Sequence, residues 1–125
     1  MSNPDNFKTR TAGGLIRPYR IVKHGASDLT VVEATAATDA LYGVTQQLGA
    51  AAVGNRVDVC LGDLPEIEYG GAVTRGDALT ADSVGRAVHA IPAAGANARI
   101  IGWAEVSGIA GDIVAFQFAP GQIQG

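Results

Sequence analysis

Glycine recurs along this chain at the ends of short apolar runs, often beside Asp or Asn, and that rhythm restricts the possible fold more than any other feature. Gly54-Asn55, Gly76-Asp77 and Gly111-Asp112 each stand just before a run of apolar or alternating residues. Glycine supplies the positive φ of a tight turn, and an Asx side chain bonds its own backbone there. Between such breaks the chain reads as strands. Tyr19 to Lys23 is closed by Gly25, and Leu29 to Ala34 is rich in β-branched residues. Leu41 to Thr45 follows. Val57 to Leu61 and Glu66 to Tyr69 alternate apolar and polar with period two, as half-buried strands do. Ala78 to Ala81 and Arg86 to Ala90 flank the turn at 82–85, and Arg99 to Glu105 and Asp112 to Phe118 complete the series. Strands at intervals of about 8–12 residues predict an all-β fold, a small sandwich or barrel.

Two features leave alternatives open. Thr35 to Ala52 is rich in Ala, Leu and Gln, so part of it is also compatible with helix. The phrases Leu41-Tyr42-Gly43-Val44 and Gly54-Asn55-Arg56-Val57 are echoed by Ile100-Ile101-Gly102-Trp103 and Gly111-Asp112-Ile113-Val114. Duplication and convergent turn chemistry both account for the echo. Gly43 and Gly102, inside strands, are expected at a bulge or a close backbone approach.

Charge divides the chain unequally. Residues 1–24 hold five Lys and Arg against Asp5, net +4, and the rest holds four Arg against eleven acids, net −7. Up to Gly13-Gly14 there is no apolar periodicity, and Phe7 is the only large apolar residue beyond the initiating Met1. Residues 1–14 are therefore expected to be an extended N-terminal arm that orders against a partner, followed by a single β domain over 15–125. Phe7, Lys8, Arg10, Leu15, Ile16, Arg17, Tyr19 and Arg20 are the candidate partner-binding residues, because apolar and Arg anchors typify protein interfaces. An overall charge of −3 does not suit a nucleic-acid binder. At 125 residues one core is expected, and with 6% aromatic content it is a thin one that association would help to stabilise. The polar start, Met1 to Asp5, lacks the pattern of a signal peptide, and no apolar run reaches the ~20 residues of a membrane helix, so synthesis in a cytoplasm and no membrane partner are expected.

No catalytic constellation is visible, and an enzyme is not expected. Ser2, Ser27, Ser83 and Ser107 fall in the arm or in predicted turns, without a base and orienting group at recognisable spacing. Cys60 lies in an alternating strand and reads as an inert buried thiol. His24 and His89 stand singly at strand ends, so no metal site is expected. Glu66 and Glu68, with Asp63 before them, share one strand face. That spacing is compatible with acid–base work or Ca²⁺, but a solvated strand face explains it better. Gly108 to Asp112 lacks the Lys and Ser or Thr of a phosphate loop and reads as a hairpin. No cofactor is expected.

The order of phrases along the chain resembles a known family. Tyr19-Arg20-Ile21-Val22 precedes Val31-Val32-Glu33-Ala34-Thr35, Leu41-Tyr42-Gly43-Val44-Thr45 and Gly54-Asn55-Arg56-Val57-Asp58-Val59. Then come Gly70 to Asp82, Gly85-Arg86-Ala87-Val88, Arg99 to Ala104, Gly111-Asp112-Ile113-Val114 and Ala119-Pro120-Gly121. Together, over roughly residues 15–121, they resemble the decoration (cement) proteins of tailed-phage capsids. The resemblance implies a virion protein on the outer capsid surface that binds the major capsid protein and itself, commonly as a homotrimer and sometimes as a dimer, and stabilises subunit contacts. It carries no catalytic residues. A head-fibre or carbohydrate-adhesion module is the alternative, and it needs an exposed aromatic platform. The one tryptophan, Trp103, lies in a strand that reads as core. A small hydrolase would need a nucleophile–base pair, and a β-barrel subunit of a larger complex would leave the phrase order unexplained.

Overall fold

A computed structural model describes residues 7–62 and 64–125. Its strands are β1 (Phe7–Ala12), β2 (Ile21–His24), β3 (Thr30–Glu33), β4 (Leu41–Thr45), β5 (Arg56–Cys60), β6 (Glu66–Glu68), β7 (Ala78–Ala81), β8 (Ala87–His89), β9 (Asn97–Ala104) and β10 (Ile113–Gln124). The fold is all-β, and 35–52 forms loops on either side of β4 with no helix. Five of these strands start two residues after a positive-φ glycine: β5 after Gly54, β7 after Gly76, β8 after Gly85, β9 after Gly95 and β10 after Gly111. In two of the turns the Asp side chain accepts from the backbone three residues back, Thr74 N–H to Asp77 and Ile109 N–H to Asp112, each at 2.9 Å. The glycine rhythm of the sequence is thus the strand-initiation signal of the fold.

The first half closes into a barrel, in the order β1-β3-β2-β4-β5, with β5 returning to β1. The second half is an open sheet, β6-β10-β9-β7-β8. One set of alternate barrel residues, including Ala12, Val22, Val31, Val57 and Val59, packs together with Ile16 and Ala50. The opposite set, Ile21, Val44 and Cys60, meets Ile67, Tyr69, Leu79, Ile101 and Phe116 of the sheet, so barrel and sheet share one core. Gly43 and Gly102 both lie where backbone comes close. A Cβ on Gly43 would sit 2.8 Å from the Cys60 carbonyl oxygen, and one on Gly102 would collide with the Gln117 carbonyl oxygen. In each case the obstacle lies on the strand that follows in the echoed phrase, β5 or β10, so the two phrases are matching antiparallel pairs.

The structure corrects the reading of the N-terminus. Residues 7–12 are not an arm beyond the body but a barrel strand. β1 pairs antiparallel with β5 from Phe7↔Cys60 to Thr11↔Arg56, and parallel with β3 at Thr11↔Thr30 and Ala12↔Val31. Ala12 is fully buried. Thr and charged residues alternate here without an apolar pattern because few of the side chains face the core, while backbone pairing on both edges holds the strand in place. Residues 1–6 of the expected arm lie outside the described residues. β10 also runs six residues past the expected Phe118, through a bulge at Ala119-Pro120 that lets the proline sit in the strand.

Candidate functional site

The candidate partner-binding residues separate by position. Ile16 and Arg20 are interior, at 1% and 8% exposure, and offer no outer surface. Ile16 exchanges backbone hydrogen bonds with Ala50, which clamps the 13–19 segment to the loop after β4. The Arg20 guanidinium donates to Glu68 Oε1 (3.2 Å) and to the Val84 carbonyl (3.0 Å), joining barrel to sheet. The Arg17 side chain donates from Nε and Nη2 to the two oxygens of Glu33, and its backbone N–H donates as well. Burial pushes the Glu33 carboxyl up, but the bonds from Arg17 outweigh it and hold the group below its ordinary range. Tyr19 takes a left-handed backbone, φ 59°, in the turn that Thr45 anchors by donating to the Arg17 carbonyl. Phe7 is partly buried against the shared core.

The remaining candidates reach solvent in two places. Leu15, exposed, joins Pro18, Leu48 and Ala51 along a shallow apolar groove. Leu48 is 80% exposed and Val53, farther along the same loop, 72%. The second place is the barrel end under the β2–β3 hairpin. There Arg10 Nη2 donates to the Tyr42 hydroxyl (2.7 Å), and the guanidinium carbon lies 5.2 Å from the Tyr42 ring centre. His24 stacks on Tyr42 at 4.8 Å, tilted by 45°. An open cavity of about 650 Å³ beside this stack is lined by Arg10, His24, Ser27, Asp28 and Leu29. Lys8 is exposed on β1, opposite Val59.

Tyr42, Leu29, Leu48 and Val53 were not singled out by the sequence reading. Leu29 carried only part of a signal: Ser27-Asp28 marks a turn, whereas the φ of 63° at its third residue, where comparable turns have glycine, belongs to the structure. The exposed leucine and valine of the loop after β4 carried none, because an apolar residue in a loop looks the same whether it is covered or open. Trp103 departs from the core reading. It is 37% exposed on β9, opposite Gln117 and Ala78, and no aromatic ring stacks on it among the described residues.

The groups weighed for chemistry take structural places. The Cys60 thiol, buried, donates to the Gly62 carbonyl. Glu68 turns to Arg20 and Arg86 while Glu66 faces solvent, with Asp63 outside the described residues. His89 Nδ1 lies 3.4 Å from Asp77, and Ser107 Oγ accepts from the Arg75 N–H. Among the described residues no three His, Cys, Asp or Glu side chains come together as a metal site would need.

No family model matches the chain, and no curated protein matches it by sequence. Among solved structures the fold is similar to the crystal structure of the head fiber gp8.5 N base in bacteriophage phi29, with a TM-score of 0.63. That likeness covers 95% of this chain and 98% of the other at 19% sequence identity, and so relates the two as folds from end to end.

Proposed function

We propose that this chain is a non-enzymatic structural protein of a phage head, bound to the outer capsid surface where it stabilises contacts between major capsid protein subunits. The observation that carries the reading is the fold likeness to a head-fiber base over nearly the whole of both chains. The phrase order along the sequence, which resembles capsid decoration proteins, supports the same setting independently. The exposed apolar groove at Leu15 and Leu48 supports a docked protein, since contiguous apolar surface is usually covered in the working assembly. Many copies on a closed lattice need only modest affinity each, and binding the assembled lattice alone stabilises it by mass action. The family resemblance supports a homo-oligomer, a trimer first and a dimer second.

The second reading is a head-fibre component, favoured because the structural match is itself a fiber base. Co-sedimentation with purified capsids that lack the protein, followed by their thermal disruption, separates the readings. A stabiliser binds saturably and raises the disruption temperature. A fibre base binds at saturable sites and leaves that temperature unchanged. Absence of saturable binding overturns both.

A further inference from the structure

We propose that the open cavity under the β2–β3 hairpin receives an acidic side chain from an extended segment of a partner protein, with Arg10 as its anchor. This deepens the docking reading above and rests on it. Arg17, Arg20 and Arg86 each lie against a carboxylate. Arg10 does not. Its two side-chain bonds go to uncharged acceptors, the Tyr42 hydroxyl and the Thr9 carbonyl. A guanidinium has five N–H donors, so three remain, on a group held at Tyr42 by its bond to the hydroxyl and by its approach to 5.2 Å from the ring centre. His24 packs against the same ring, with the two ring centres 4.8 Å apart. A cation held in place and bonded to no carboxylate among the described residues, at the mouth of a cavity of about 650 Å³, is suited to a carboxylate.

The rest of the lining suits a peptide. Ser27 and Asp28 bring a hydroxyl and a carboxylate to the same cavity. Asp28 is an acceptor for a peptide N–H of the same segment, a bond that a bare anion lacks the donor to make. Leu29 adds an apolar contact, 68% exposed at φ 63°. A left-handed backbone costs a non-glycine residue about 1–2 kcal/mol. Tyr19 and Leu64 take the same backbone region ahead of β2 and β6, at φ 59° and 51°, so it is the exposure of Leu29 at the cavity, and not its φ alone, that suits a site using its side chain. The segment expected is one with Glu or Asp beside an apolar residue.

The test is an NMR amide titration of the intact protein with acetyl-Leu-Glu-Leu-amide, its Gln counterpart, and inorganic phosphate. The expected result is saturable shifts confined to 24–30 and the Arg10 Nε–H, with the Gln peptide about tenfold weaker. Arg10→Gln lowers affinity for the Glu peptide to that of the Gln peptide. Leu29→Gly, which suits the backbone there and keeps the fold, also weakens binding. Equal binding of Glu and Gln peptides, shifts elsewhere on the surface, no saturation, or phosphate binding as well as the Glu peptide would each overturn the assignment. If Arg10→Gln unfolds, the Leu29→Gly variant and the Glu-to-Gln comparison still decide. The titration needs no capsid, so failure of this site and failure of capsid binding are read separately.

Discussion

Single residues set this backbone where strands come closer than a side chain allows. Gly102 on β9 lies against the Gln117 carbonyl oxygen, and a methyl group there has nowhere to go because the obstacle is backbone. Gly102→Ala is therefore expected to destabilise by about 3 kcal/mol, the upper end of the usual cost of overpacking, as read from urea unfolding. Gly71, where a Cβ would meet only Val88 at 3.9 Å, is the control, and Gly71→Ala should leave the midpoint nearly unchanged. The two interior glycines were legible as a bulge or a close approach from the sequence alone, because glycine weakens a strand and has to be explained when it interrupts one. The identity of the obstacle was not, since it depends on which strand lies alongside.

At the scale of elements, a small polar network ties the barrel to the sheet. Arg20, ahead of β2, bonds Glu68 on β6, while Arg86, ahead of β8, reaches Glu68 at 3.9 Å and Asp82 at 3.1 Å. The Ile21 N–H donates to the Gly85 carbonyl alongside, and the Glu68 N–H to the Tyr19 carbonyl. Removing the carboxylate leaves the buried Arg20 charge without its acid, so Glu68→Ala is expected to cost about 3 kcal/mol by chemical denaturation. A cost below about 1 kcal/mol would mean that solvent takes over the role of Glu68. Arg20 read as an interface anchor in the sequence because a basic residue beside Tyr and Ile looks the same in either role. Its burial follows from the sheet packing against it.

For the whole molecule, titration bounds the stable range. Glu33 and Asp39 are both held below their ordinary values. In each, burial opposes ionisation and is outweighed, by Arg17 at Glu33 and by the Thr35 N–H and Lys23 at Asp39. A carboxyl depressed in the folded state contributes stability above its unfolded value, 4.5 for Glu33, and loses it as pH falls through the folded value. The buried Tyr69 hydroxyl is raised above 10.0, by burial first and then by Asp77 and Asp112, so its contribution is lost on the alkaline side. Melting temperature should form a plateau between these limits. Glu33→Gln should flatten the acid limb, whereas Tyr69→Phe should flatten the alkaline limb while losing the bond to the Val106 carbonyl, about 1 kcal/mol. An acid limb unchanged in Glu33→Gln would place the loss in other groups.

That this protein is built of short strands, and where most of them lie, follows from the local pattern of its residues. Turn chemistry and period-two alternation are local, and Leu41–Thr45 and Ala78–Ala81 emerge with the bounds that they predict. Tertiary structure alone decided that Phe7–Ala12 belongs to the barrel. That segment has no apolar rhythm of its own and is held by β3 and β5, whose pairing lies outside its local sequence. The same holds for the surface. Arg10, His24 and Tyr42 are scattered through the first third of the chain, and barrel closure brings them to one mouth. Ile16, next to the exposed Leu15, is turned inward by its bridge to Ala50. Which residues face outward is a property of how strands pair, and a one-residue change of register would reverse it.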